Sequence, residues 1–182
     1  MTASDASSAD LARRILEHLR ERQDEMVDLV HRLVDVESPS SVAATHGPML
    51  EVFAAELERR AFRARRVAGR TSGGLLRASP AGRKRGSAYQ LLLGHLDTVW
   101  PEGTLAGRPV QIEDGKLRGP GAYDMKAGLV QGLFAVEAAR ALGELSTEPV
   151  FLVNTDEEIG SRDSTPTIRR FARSADRVFV LE

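Results

Sequence analysis

The alternation of apolar and polar residues divides the chain into predicted helices and strands. Over residues 10–37, apolar side chains recur at helical spacing, with a break between Leu19 and Met26. This pattern predicts one long helix whose first turns project beyond the core, or two helices nearly in line. The sequence Ser-Pro-Ser at 38–40 should end it, because the residue before a proline avoids helical backbone angles. A second helix is expected over residues 47–60.

Two hairpins are predicted in the middle of the chain. After an alternating strand over residues 62–68, segments 75–78 and 88–93 should pair around the basic loop 80–86. The loop suggests either phosphate binding or a solvated turn, and we favour the turn. No aromatic residue alternates with its charges, so nucleic-acid binding has little support. Residues 110–117 form the second predicted hairpin, since Asp-Gly at 114–115 suits a tight turn.

The second half of the chain alternates helices with apolar strands. A helix is expected over residues 125–142, a strand over 150–153, a helix from about residue 165 and a strand over 177–181. This order is typical of an α/β fold with parallel strands, and the central hairpins make the sheet mixed. We therefore predict one domain containing a mixed, largely parallel sheet with flanking helices.

Composition narrows the class of protein. Of the 182 residues, 42% are hydrophobic and 28% charged, as in an ordinary soluble domain, and the formal net charge of −1 offers no bulk attraction to nucleic acid or membranes. The opening residues 1–10 lack the apolar core of a signal peptide, and no apolar run reaches membrane-spanning length. A cytoplasmic protein without nucleic-acid or membrane partners is expected.

Candidate chemistry collects where the predicted strands end. His95 and Asp97 close the apolar run 91–93 and, being two residues apart, share one side of an extended backbone. Asp124 follows a glycine-rich turn, Glu157 and Glu158 follow the strand 150–153, and Glu182 follows the strand 177–181. Each has a structural alternative: packing for the histidine, a helix cap for Asp124, and solvated loops for the glutamates.

Taken together, these residues favour a metal site. Clustered carboxylates repel each other unless cations lie between them, so a pair of divalent metals would explain the arrangement. The chain has no cysteine, which excludes disulfides and thiolate ligands and leaves histidine and carboxylates. This ligand chemistry suits catalytic zinc, with cobalt or manganese as alternative occupants.

Three segments carry a family resemblance. GHLDTV at 94–99, RGPGAYDMKAG at 118–128 and VNTDEEIGS at 153–161 resemble, in order and spacing, the co-catalytic zinc exopeptidases. That family includes glutamate carboxypeptidases such as carboxypeptidase G, acetylornithine deacetylase and succinyl-diaminopimelate desuccinylase. The resemblance runs from about residue 33 to the last residue, and it implies a zinc exopeptidase catalytic domain.

The resemblance also implies a role for each candidate residue. His95, Asp124 and Glu182 would hold one zinc ion, and Asp124 would bridge to a second ion bound by Glu158. Glu157 would be the general base. Asp97 would steady the ring of His95, and the peptide bond that follows Asp124 would be cis.

Two family elements are missing from these residues. The second metal normally receives a histidine from later in the chain, and we assign His18, His31 and His46 to packing or to the surface. The lid domain that mediates dimerisation is also absent. Residues 1–182 therefore resemble the amino-terminal part of a metallopeptidase catalytic domain, without its carboxy-terminal part, and a homodimer would require the lid.

The expected function is metal-dependent hydrolysis of a peptide or amide bond. The segment 154–161 looks closer to glutamate carboxypeptidases than to the deacylase branch of the family, which implies release of a carboxyl-terminal glutamate-like residue from a small peptide or N-acyl amino acid. Two alternatives stay open. One is an N-acyl amino acid deacylase with the same metal chemistry, and the other is a truncated, inactive metal-binding fragment.

Overall fold

The computed structural model describes residues 3–182, and residues 1 and 2 of the polar opening segment lie outside them. Within the described part, the helices are α1 (Ala3–Glu21), α2 (Gln23–Val34), α3 (His46–Arg59), α4 (Thr104–Gly107), α5 (Ala127–Ala141) and α6 (Thr165–Ala172). The strands are β1 (Phe62–Val67), β2 (Leu75–Pro80), β3 (Tyr89–His95), β4 (Gln111–Glu113), β5 (Lys116–Arg118), β6 (Glu148–Asn154) and β7 (Arg177–Val180).

Five strands form one mixed sheet in the order β1-β2-β6-β3-β7. Strand β3 pairs in parallel with both β6 and β7, whereas β2 pairs antiparallel with β1 and with β6. The predicted mixed α/β fold is confirmed. Because β3, β6 and β7 run in the same direction, their carboxyl ends lie at one edge of the sheet.

The predicted hairpin between segments 75–78 and 88–93 is wrong. Strand β6 lies between β2 and β3, and β2 forms its hairpin with β1 instead. The apolar strand β3 lies inside the sheet, where it has a parallel neighbour on each side. The smaller hairpin, β4 with β5, is confirmed, and Asp114 and Gly115 both have the positive φ that its turn requires.

Helices cover both faces of the sheet. The break at Arg22 separates α1 from α2, as the two-helix alternative predicted, although α1 begins earlier than expected. Helices α2, α3 and α5 pack on one face, where the inward side chains of α3 are fully buried: Leu50, Phe53 and Leu57. Helix α6 packs Ile168 and Phe171 on the other face. None of the described helices is both long enough and apolar enough to cross a membrane.

A buried carboxylate on α3 joins this helix to its neighbours. Glu56 is 4% exposed and accepts hydrogen bonds from Arg32, Arg59 and Arg60 at 2.8, 3.0 and 2.6 Å. Arg60 also contacts Glu137 of α5 at 2.7 Å. Burial alone would raise the pKa of Glu56, but the hydrogen bonds from Arg32 and Arg60 and the nearby charges bring it below its usual value.

Replacing Glu56 by glutamine should lower the free energy of unfolding by about 2 kcal/mol at pH 7, because charge-assisted hydrogen bonds are lost. The pKa of Glu56 is lower in the folded state, so its contribution is complete above the unfolded pKa of about 4.3 and is lost as the pH falls through the folded pKa. Urea denaturation at several pH values measures this difference. The difference in unfolding free energy between the wild type and Glu56→Gln should shrink below about pH 4.

Glu51→Gln is the matched control, since Glu51 lies on the same helix, is 73% exposed and meets Arg66 at 3.7 Å. Its cost should stay below about 0.5 kcal/mol. Equal costs for the two variants, or a Glu56 effect that is independent of pH, would contradict the assignment.

Candidate metal centre

Four of the candidate residues meet at the carboxyl edge of the parallel strands. His95 ends β3, Glu158 follows β6 and Glu182 follows β7, while Asp124 lies in a wide helical turn, Ala122–Lys126, before α5. His95 and Asn154 are partners in the register of β3 with β6, so the segments that follow them start side by side. The fold therefore brings together residues up to 87 positions apart in the sequence.

The imidazole of His95 lies at the centre of this group. Its Nε2 atom is 3.1 Å from Asp124 Oδ1, 3.9 Å from Glu182 Oε2 and 4.0 Å from Glu157 Oε2. Potential ligand atoms of His95, Asp124 and Glu158 all lie within 4.8 Å of one another. The histidine side chain is buried, whereas the carboxylates of Asp124, Glu157 and Glu182 are about half exposed. A solvent-borne ion or substrate can thus reach them.

Asp97, which the family resemblance implies as a support for the ring, lies beside Nδ1 of His95. The Nδ1 atom of His95 is 3.0 Å from the backbone oxygen of Asp97 and 3.4 Å from its Oδ1. When Nδ1 donates its proton to these oxygens, the lone pair of Nε2 points at the carboxylates. The carboxylate of Asp97 also accepts hydrogen bonds from Ser40 Oγ and from the backbone N–H groups of Glu157 and Glu158.

The electrostatics fit a divalent cation. Burial raises the pKa of Glu158, and the charge of Asp124 raises it further; the pKa of Glu182 is raised by burial and by its contact with Asp124. Burial would lower the pKa of His95, but the hydrogen bond and charge of Asp97, with the charge of Glu157, raise it to about 9. The raised pKa values of Glu158 and Glu182 reflect in part the repulsion between neighbouring carboxylates, which a metal ion would relieve. An imidazole with carboxylates and no thiolate is a donor set that suits zinc.

Comparison with known proteins identifies the family. The sequence model of "Peptidase family M20/M25/M40" matches residues 91–181, half of the chain. The chain belongs to this family. The M20/M25/M40 match includes His95, Asp124, Glu157 and Glu158 and ends one residue before Glu182. The family resemblance of the three sequence segments is thereby confirmed.

Individual M20/M25/M40 relatives agree with this assignment. Carboxypeptidase G2 from Pseudomonas sp. (strain RS-16) is 34% identical over 169 residues, which cover 89% of this chain and 39% of that protein. Human carnosine dipeptidase 1 is 25% identical with a TM-score of 0.75, over 92% of this chain and 40% of that one. The M20 family metallo-carboxypeptidase Sso-CP2 from Sulfolobus solfataricus has a TM-score of 0.72 at 20% identity, over 86% of this chain and 37% of that one. The chain spans about two fifths of the length of these relatives.

The glycine-rich segment of the M20/M25/M40 chain positions Asp124. The peptide bond between Asp124 and Met125 is cis, which confirms the expectation from the resemblance. Gly121 has φ 71°, and a Cβ there would lie 2.5 Å from Thr98 Cγ2. Lys126, almost completely buried, donates from Nζ to the backbone oxygen of Val36 at 3.1 Å. These contacts fix the turn against the ends of β3 and α2.

Sequence reasoning missed Ser40 and Lys126 as supports of this M20/M25/M40 site. The local sequence around Ser40 indicates only a helix stop, yet the hydroxyl of Ser40 donates to the carboxylate of Asp97 at 2.7 Å across 57 residues of sequence. Lys126 lies two residues after Asp124, and an isolated lysine on an otherwise apolar stretch was the one available signal. The partners of both side chains come from distant segments, which the sequence pattern does not specify.

Gly128 determines how closely α5 approaches the strand end that carries Glu182. A Cβ at this position would overlap the backbone oxygen of Leu181. Gly128→Ala should therefore displace residues 181–182 and lower the free energy of unfolding by about 1–3 kcal/mol, together with a loss of zinc affinity. Chemical denaturation and zinc titration measure the two effects.

Gly132→Ala is the matched control, one turn later on α5. A Cβ there meets the side-chain tip of Leu181, with Cδ1 at 2.7 Å, and a side chain can rotate away whereas a backbone carbonyl cannot. Its effect on zinc affinity should be small. If the two alanine variants lose zinc affinity equally, the close approach at Gly128 does not position Glu182.

Proposed function

We propose that this chain contributes the metal-binding and acid–base residues of a peptidase that removes the carboxyl-terminal residue of a small peptide. The observation that carries the proposal is the placement of His95 Nε2 against three carboxylates, with Asp97 behind the ring. Membership of the M20/M25/M40 family supports the reaction class.

The ligands divide into two groups. His95, Asp124 and Glu182 would hold one zinc ion, and Asp124 would bridge to a second ion held by Glu158. Cobalt or manganese could replace zinc with the same ligands. When bound, the metals polarise the scissile carbonyl and lower the pKa of a water molecule. Asp97 keeps Nε2 of His95 available by holding the proton on Nδ1.

Glu157 is the proposed general base. Its backbone N–H is fixed by the carboxylate of Asp97 at 3.2 Å, and its own carboxylate is half exposed, 4.0 Å from His95 Nε2. The side chain can therefore face both the histidine and an arriving substrate. It would take a proton from the attacking water and return it to the leaving amine.

The proposed substrate ends in a glutamate-like residue, because segment 154–161 resembles glutamate carboxypeptidases. The 34% identity to carboxypeptidase G2 over 89% of this chain supports a carboxypeptidase. The alternative is deacylation of an N-acyl amino acid. To compare the two reactions, the purified zinc-loaded protein is incubated with a peptide that ends in glutamate and with an N-acetyl amino acid. Mass spectrometry identifies the products. Preferential release of glutamate supports the proposal, and preferential deacetylation supports the alternative.

Metal counting tests the third possibility, a metal-binding fragment without activity. About one tightly held zinc per chain and no hydrolysis of either substrate would favour this fragment interpretation. Two tightly held zinc ions, together with hydrolysis, would contradict it. Elemental analysis after dialysis gives the count.

Replacing Asp97 by asparagine should weaken zinc binding by about 10- to 100-fold, because an amide does not support the ring of His95 as a carboxylate does. Asp163→Asn is the control: Asp163 also accepts several backbone N–H groups, those of residues 70–72, but lies outside the His95 cluster. Calorimetric zinc titration compares the variants. If both keep wild-type affinity, Asp97 does not orient the histidine.

A further inference from the structure

A polar cavity lies on strands β1 and β2 and on the loop that follows β2, and none of its lining residues belongs to the candidate metal centre. Its volume is about 330 Å³, and five arginines line it: Arg63, Arg65, Arg77, Arg83 and Arg85. Ser79, Pro80 and Ala81 complete the wall. The first three arginines project from β1 and β2, and the other two come from the basic loop that follows β2. We call this site the arginine cavity.

Strand register explains why the charges converge. Arg63 and Arg65 are two residues apart on β1, so they share one face of the sheet. Arg65 is directly opposite Arg77 in the antiparallel pair β1–β2, and like charges in that position destabilise a sheet. Strand pairing therefore concentrates positive charge on this face.

The five arginines have no acidic partner among the described side chains. Among the side chains that the structure describes, none of the five forms a salt bridge. Arg66, on the opposite face of β1, does have one, with Glu51 at 3.7 Å. Guanidinium groups stay charged at any physiological pH, so the cavity has a concentrated positive charge that its described neighbours do not neutralise.

Aromatic rings hold two of the guanidinium groups in place. Arg77 lies 5.2 Å above the ring of Phe171, and Arg83 lies 4.8 Å above the ring of Tyr89. Stacking uses the flat face of a guanidinium and leaves N–H groups at its edge for an acceptor. The cavity therefore offers partly fixed donors, which reduces the ordering cost of binding a ligand.

We propose that the arginine cavity binds a small oxyanion with two or more negative charges, of the diphosphate class. Arginine edges match phosphate oxygens in geometry and charge. The volume is at the lower end of the range for small-molecule sites, which suits a compact anion better than a polymer. The rings of Phe171 and Tyr89 are covered by arginines, which leaves those faces unavailable for stacking nucleic-acid bases.

The arginine cavity is separate from the candidate metal centre. Arg83 stacks on Tyr89, the first residue of β3, and His95 is the last residue of that strand. At about 3.3 Å per residue, the two ends of β3 are about 20 Å apart. An anion in the arginine cavity therefore does not contact the metal ligands, and its binding can be measured without reference to hydrolysis.

The test is a titration of the ¹⁵N-labelled protein with sodium pyrophosphate, followed by NMR, with no divalent metal added. Saturable shifts are expected at the amides of β1, β2 and loop 81–87, and not around residues 95, 124 and 158. The double variant Arg65→Gln/Arg77→Gln should raise Kd by about tenfold or more, because two charge-assisted contacts are lost. ADP tests whether a diphosphate bound to a nucleoside is accepted as readily as the free ion.

Arg66→Gln is the control, since it removes one guanidinium group from β1 on the other face of the sheet; its Kd should stay within about twofold of wild type. Arg85→Gln, in an exposed loop, gives a second test if the double variant does not fold. Equal weakening by Arg66→Gln, unsaturable shifts or shifts centred on His95 would overturn the proposal. So would a single-stranded oligonucleotide that binds more tightly than pyrophosphate and displaces it.

Discussion

Glu157→Gln is expected to lower kcat by about 100- to 10,000-fold in the active polypeptide that contains this chain, because glutamine cannot accept the proton of the attacking water. Glutamine keeps the size of the side chain, and its backbone N–H can still donate to Asp97. The defect should therefore appear in kcat, whereas KM stays within about threefold of its original value. Steady-state hydrolysis of the peptide that ends in glutamate measures both kcat and KM.

Two controls separate the proton-transfer role from metal binding. Zinc content should be nearly unchanged in Glu157→Gln, since Glu157 is not one of the proposed ligands. Glu113→Gln, an exposed position on β4, should keep the full rate. A Glu157→Gln enzyme with near-normal kcat, or one that has lost its zinc, would refute the assignment of the general base.

The strand ends and their acids could be predicted because their signals are local. A short apolar run followed at once by His95 indicates both a buried strand and the side chain that closes it. Parallel strands place such positions at one edge of a sheet, so the convergence of residues 95, 158 and 182 follows from the alternation of helices and strands. The structure brings these residues together as expected.

Strand order could not be predicted in the same way. Pairing β2 with β3 satisfied the local pattern, but β6 lies between them although it begins more than 50 residues later. The choice depends on which neighbours bury the apolar sides of β3, a property of the assembled sheet. The arginine cavity depends on the same register, because Arg65 and Arg77 face each other only when β1 pairs with β2.

The residues that hold the metal site in position could not be predicted, for a related reason. Ser40 and Lys126 act on elements distant in sequence, the carboxylate of Asp97 and the backbone oxygen of Val36. Nothing in the residues next to them specifies these partners. A reactive residue at the end of a strand can therefore be recognised from the sequence. The contacts that hold its side chain in position can be recognised only from the folded structure.

Asp124→Ala is expected to weaken zinc binding by about 100-fold or more, since it removes the carboxylate proposed to contact both ions. Zinc sites with about four protein ligands have apparent binding energies of about 10–16 kcal/mol, or roughly 3 kcal/mol for each ligand. Calorimetric zinc titration measures the loss. Asp28→Ala, an exposed position on α2, should leave the affinity unchanged.

Stability without metal should respond only weakly to Asp124→Ala. Asp124 is half exposed, and its charge raises the pKa of Glu158 and Glu182. Removing Asp124 relieves this repulsion but also removes its 3.1 Å contact with His95 Nε2, so the stability of the metal-free variant should stay within about 1 kcal/mol of that of the wild type. If Asp124 served only as a helix cap, the variant would instead be less stable both with and without zinc. Urea denaturation with and without zinc distinguishes these two roles, because the loss of a metal ligand lowers the stability of the variant relative to wild type only when zinc is added.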